Sequence, residues 1–182
     1  MKKISIALLA VLAVGASSSA YAQSGTITFT GEVTASTCEV TFPGNGGTTL
    51  NPTIALATVS TGSLAAAGAT AGHKPFQIQI GSTGTPCEIG TGVALELNPN
   101  HTDAITNGRL DNTAAGGAEN VQIQLRDATG APIFLSSTPW ISPRVPFAAG
   151  VATLGFEGEY YASEAAGAGD VSASLQYTLD YN

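Results

Sequence analysis

Residues 25–33 read GTITFTGEV, and the reading of that segment decides what the rest of the chain has to be. Gly25, Ile27, Phe29, Gly31 and Val33 fall on one face; Thr26, Thr28, Thr30 and Glu32 fall on the other. A period of two is an extended strand with one apolar face, and threonine favours the same conformation. Two features set it apart from an ordinary first strand. It stands near the N-terminus, where strands are held least firmly. It also carries Gly31 on its apolar face, which weakens a strand unless another group comes close there. Two readings stay open at this point: the first strand of a self-contained sandwich, or a strand made for another molecule.

Upstream, residues 1–22 have the pattern of a secretory signal. Lys2 and Lys3 form the charged start, residues 4–14 the apolar run, and Ala20-Tyr21-Ala22 the cleavage site. The run is too short to span a bilayer. This predicts export and a mature chain beginning at Gln23, with about 160 residues left for one domain with a real core. Two of the six basic residues leave with the signal, so four basic face thirteen acidic residues, a net charge of −9. Such a balance argues against nucleic acid or an anionic membrane surface as partner. No second apolar stretch is long enough for a membrane helix, so the mature chain is not expected to be membrane-inserted.

Downstream, Cys38 and Cys87 are the only cysteines. An even pair in an exported chain reads as one disulfide, worth roughly 4 kcal/mol for a loop of this length in the chain-entropy model. Residues 39–42 continue extended and stop at Pro43. Residues 53–59 read as a strand apolar on both faces, and the alanine-rich residues 63–69 as one helical turn. Residues 76–80 alternate cleanly and lead to Cys87, so the disulfide should tie this strand's end to the first one. Further strands are expected at residues 93–97, 121–125, 132–135 and from residue 152 towards Tyr160 and Tyr161, with a turn at Asp127-Ala128-Thr129-Gly130. Pro139, Pro143 and Pro146 mark an irregular or edge stretch. After a break at Gly167-Ala168-Gly169, residues 171–181 alternate again, with Val171, Ala173, Leu175, Tyr177, Leu179 and Tyr181 on one face. Many short strands with turn signals between them predict an all-β, two-sheet sandwich of immunoglobulin type.

Catalytic patterns are missing. His73 and His101 read as exposed loop histidines, without the spacing of a metal site. There is no C-x-x-C or G-x-S-x-G, and the glycine clusters lack the Lys-Ser/Thr of a phosphate loop. Glu157 and Glu159 read as a solvated face. Trp140, Tyr160 and Tyr161 read as packing aromatics, with a sugar-stacking surface as the rival use. No enzyme, metal or cofactor is expected.

Taken in order, these pieces resemble the shaft pilins of chaperone–usher fimbriae, the type 1 fimbrial major subunit among them. Residues 28–33 resemble the family's F-x-G-x-V segment, and Cys38 and Cys87 stand at its two cysteines. Residues 120–125, Asp127 and Thr129-Gly130 resemble its N-V-x-x-Q-I/L…D…T-G signature. Residues 156–161, Gly169 fourteen from the end, and penultimate Tyr181 resemble its C-terminal motif. Residues 81–86 lengthen the approach to the second cysteine, and the extension before Gly25 is short.

The resemblance implies an incomplete immunoglobulin-like sandwich completed by donor-strand exchange. It divides the chain into a signal (residues 1–22), a donor extension (23–34) and a pilin domain (35–182). Ile27, Phe29, Gly31 and Val33 would be donor positions. Gly169, Leu175, Tyr177, Leu179 and Tyr181 would belong to the strand that borders the groove and meets the chaperone. The implied partners are identical or related pilin subunits in a homopolymer, a periplasmic chaperone and an outer-membrane usher. The implied location is an extracellular fimbria on the bacterial surface, reached through the periplasm and supporting adhesion. A minor adaptor or tip pilin is the rival within the family. A freestanding secreted carbohydrate-binding β-sandwich is the rival outside it.

Overall fold

The computed structural model describes residues 38–45, 50–87, 89–99 and 105–182, within a compact unit that runs from Ala35 to Asn182. The signal, the extension with Ile27, Phe29, Gly31 and Val33, and His101 lie outside the described residues. The strands are β1 (Val40–Thr41), β2 (Thr70–Ile80), β3 (Gly92–Leu97), β4 (Ile105–Thr106), β5 (Arg109–Asp111), β6 (Val121–Asp127), β7 (Pro132–Ile133), β8 (Trp140–Ile141), β9 (Val145–Pro146), β10 (Ala152–Ala162) and β11 (Tyr177–Tyr181). One complete 3-10 turn, η1 (Thr61–Leu64), is present among the described residues.

Two antiparallel sheets result. The larger runs β1-β2-β10-β6-β5-β4, with β7 also on β6; the smaller runs β11-β3-β8, with β9 also on β3. Alternation along the long strands sends Ile78, Ile80, Ala152, Leu154 and Phe156 of the larger sheet against Val93, Leu95 and Leu97 of the smaller one. The tightest part of this core lies near the disulfide, where Ile80, Val93 and Leu95 are fully buried. Val40 pairs with Ile80, and Cys38 bonds Cys87 with their Cα atoms 5.1 Å apart. The bridge ties the end of β2 to β1, as the spacing predicts. Leu64, Ala118, Val121 and Ala162 form a second, smaller core at the other end.

Several elements differ from expectation. Residues 53–59 are extended but belong to no strand; Ile54 and Leu56 turn inward while Ala55 and Ala57 are exposed. Of residues 171–181 only β11 is laddered, although the alternation of burial runs through all of them. The β4–β5 hairpin is absent from the sequence reading. Its signal is Asn107-Gly108, both with positive φ of 53° and 80°, the conformation of a tight two-residue hairpin turn. Pro139, Pro143 and Pro146 do sit at an edge. β8 and β9 both pair with β3, and Ser142 bridges the gap between them. Its backbone N–H donates to the Leu95 carbonyl and its Oγ accepts from the Leu95 N–H, each at 2.9 Å.

The loop placement of His73 and the solvated placement of Glu159 are corrected as well, while His73 is exposed as expected. His73 lies in β2 rather than a loop, beside a bulge where β2 slips register against β10 between Gly158 and Tyr160. Glu159 is not solvated: its side chain is wholly buried, between Arg126 Nε at 2.6 Å and His73 Nε2 at 2.8 Å. The imidazole approach is close but is not an aligned hydrogen bond. Arg126 comes from the facing strand β6, and the regular register of β2 against β10, with Glu157 opposite Pro75 and Gly158 opposite Lys74, puts His73 on the same side as Glu159. Trp140 packs edge-on against Phe156, with ring centroids 6.2 Å apart, and the Arg109 guanidinium covers Tyr161 at 3.6 Å. The three aromatics therefore form no common sugar-stacking surface.

Candidate functional site

The core is closed near the disulfide and open along one side. An apolar groove of about 1110 Å³ runs between the sheets. Its floor is built by Phe76 and Ile78 of β2, Ile123 and Leu125 of β6, Phe156 of β10, and Leu95 and Leu97 of β3. These are the inward positions of clean alternating strands, yet Phe76, Ile123 and Leu125 remain half-buried. Such side chains face inward without a full complement of neighbours.

Two extended segments form the walls. One is residues 50–56; the other is residues 171–179, ending in β11. Among the described residues, no charged side chain lines it. The volume exceeds that of most small-molecule pockets, and no charged groups converge on it among the described residues. An extended apolar peptide with side chains at every second position fits this shape better than a compact ligand does. Next to the groove, β11 pairs with β3 on one edge only; among the described residues no strand lies against its other edge. An open edge beside an open core is a template for strand addition.

The positioning of the C-terminal wall can be traced residue by residue. Asn112 uses its whole amide. Nδ2 donates to the Ala118 and Asp170 carbonyls, both at 2.9 Å, and Oδ1 accepts from the Ala114 and Ser172 N–H groups. Backbone bonds from Thr113 to Ser172 and from Ala118 to Asp170 complete the join. Gly169 sits where two stretches of backbone pass close: a Cβ there would stand 2.5 Å from the Ala118 nitrogen. At the far end, Arg144 reaches from the β9 side across β3, donating to the Gly92 and Asp180 carbonyls and pairing with the Asp180 carboxylate. Both ends of the wall are fastened to the sandwich while its middle faces the groove.

Of the residues singled out by the sequence, Leu175, Tyr177 and Leu179 line the groove together. Tyr181 packs, half-buried, against the core beyond it, and Gly169 anchors the wall from outside. Burial pushes the Tyr160, Tyr177 and Tyr181 hydroxyls above the ordinary tyrosine value, with Tyr181 adding to the effect at Tyr177. Sequence reading missed the opposite wall, residues 50–56, whose signal was the Ile54/Leu56 alternation. It also missed the fastening residues Asn112 and Arg144, which no local pattern distinguishes.

A family model described as fimbrial protein matches residues 27–182. The chain is 38% identical over 185 residues to the F17 fimbrial protein of Escherichia coli, covering 100% of this chain and 99% of that protein. It is 40% identical over 173 residues to the major fimbrial subunit SMF-1 of Stenotrophomonas maltophilia, covering 90% and 95% respectively. Among solved structures, it resembles a type I fimbria protein of Burkholderia pseudomallei with a TM-score of 0.54 and 27% identity, over 73% of this chain and 84% of the other.

Proposed function

This chain belongs to the fimbrial protein family, a structural subunit rather than an enzyme, and from that premise we propose that it forms the shaft of a chaperone–usher fimbria by donor-strand exchange. The observation that carries this reading is a groove with no charged lining among the described residues, beside the edge of β11 that no described strand pairs. The complementary feature is the spare amphipathic segment at residues 25–33. In this reading Ile27, Phe29 and Val33 of one subunit fill the groove of the next, and Gly31 passes where no side chain fits. The donor's main chain pairs with β11. Residues 1–22 direct export and are removed, and residues 23–34 are the donor extension. A periplasmic chaperone covers the groove until an outer-membrane usher exchanges it for the donor. The finished polymer stands outside the cell and supports adhesion. The 40% identity to a protein named a major subunit supports the shaft position over a minor one, and the chain's abundance in sheared fibres measures it.

The decisive experiment moves the donor. A chain with residues 23–33 deleted from the front and grafted after Asn182 through a short flexible linker should be a soluble monomer that melts cooperatively without a chaperone. The deletion alone should be unstable and should form no fibres. A deletion variant as stable as the grafted chain would refute the reading.

A further inference from the structure

The floor of the groove is uneven along β10. The register of β10 against β6 is unbroken from Phe156 to Ala162, so Phe156, Gly158 and Tyr160 succeed one another on the core face. On one side of Gly158, Phe156 stacks on Phe76 of β2, with ring centroids 5.7 Å apart. On the other side stands Tyr160. Between these aromatic rows β10 offers only backbone. Glycine inside a long strand weakens it unless the space is used, and neither turn nor close approach demands glycine here. Gly158 has no positive φ. A Cβ there would meet one described side chain, the tip of Leu56, at an ordinary 3.7 Å. Leu125 is the partner of Gly158 on β6. The result is a socket with a glycine floor, walled by Phe156, Tyr160, Leu125 and Leu56, all of which line the groove.

We propose that Gly158 selects the incoming segment, its socket taking the ring of Phe29 from another subunit. The proposal rests on the donor-strand reading above and says which plug enters where. Phe29 is the largest side chain on the apolar face of residues 25–33, and the socket is the groove row to which β10 contributes no side chain. A donor strand repeats its side chains at the same two-residue spacing as β10. Phe29 over Gly158 therefore carries Gly31 over an aromatic row, that of Phe156 or that of Tyr160, whichever way the donor runs. Large meets small, and small meets large. A segment with a glycine at the socket leaves a void, and one with a large residue in place of Gly31 meets a ring. Subunits that this chain accepts should carry a large apolar residue two positions before a glycine.

The test uses the full chain, assembled into fibres by its own host and sheared from the cells. Gly158→Val raises the socket floor with a residue that strands favour, and Phe29→Ala shortens the plug. Each alone should speed the loss of subunits from fibres in guanidinium at least about tenfold, or abolish fibres. The double variant nearly restores the joint volume, so its loss rate should return to within about threefold of wild type. A Gly158→Val chain that merely misfolds is not rescued by shortening Phe29. Wild-type behaviour in either single variant, or a double variant no better than the worse single one, overturns the socket and leaves the donor-strand reading standing. Fibres that form without residues 23–33 overturn both.

Discussion

Gly169 shows why one residue type is demanded at one place. Its φ of 156° is open to few side chains, but the contact matters more. Ala118 N and Gly117 C lie 2.5 and 2.6 Å from where a Cβ would be, and both are backbone atoms that cannot rotate away. Gly169→Ala should cost about 3 kcal/mol, the upper range of overpacking, because the chain must separate from the Asn112 join. Urea denaturation of the disulfide-intact protein checks it. Glu159 makes the opposite case, a charge buried on the outer face of the larger sheet. Arg126 supplies its close partner at 2.6 Å and also donates to the Gly130 carbonyl. Removing that partner leaves a carboxylate with only the half-exposed His73 beside it. Arg126→Ala should therefore destabilise by about 3 kcal/mol, more than a surface ion pair is worth. A melt of Arg126→Ala that matches wild type would mean that the carboxylate finds water. The motif glycine was legible from its place in the chain, since Gly169 stands fourteen residues from the end. Its cause was not, because Ala118 is some fifty residues away.

At the scale of elements, the C-terminal strand has the most to say. β11 presents Tyr177, Leu179 and Tyr181 inward, and burial raises the tyrosines' tendency to stay neutral. A folded pKa above the unfolded one means that the proton is held more tightly in the folded state. The stabilisation is complete below the unfolded value of about 10 and is lost as pH rises through the higher folded value. The wall should therefore loosen above about pH 10, before the disulfide end of the core does. Amide exchange of β11 against that of β3, followed from pH 8 to 11, should show the order; simultaneous loss would contradict it. Alternation located β11, β10, β6, β3 and the inner half of β2 in the sequence, because each buries one face and exposes the other. It overstated residues 53–59 and 171–176. Their side chains alternate in burial as a strand's do, but period two reports which face is covered and not whether a neighbouring backbone is present.

For the whole molecule, the sandwich is finished near Cys38–Cys87 and unfinished along the groove. Phe76, Ile123 and Leu125 are half-buried beside the fully buried core of Ile80, Val93 and Leu95. Three apolar plugs entering that space would each contribute roughly 1.5–3 kcal/mol, enough to separate the grafted chain from the deleted one by a wide margin in its melting temperature. A small separation would place the missing burial elsewhere. The composition, the cysteine pair and the alternating segments determined the class of fold, and the alternation of residues 171–181 put Leu175, Tyr177 and Leu179 on the face that lines the groove, because burial on one face is written locally at a period of two. The structure alone decided that Glu159 is buried, that Trp140 turns inward, that residues 50–56 stand opposite residues 171–179, and that Asn112 and Arg144 fasten the second wall. Each of these depends on which strands become neighbours, and that is set by closing the sheets around a common core rather than by any stretch of chain taken alone.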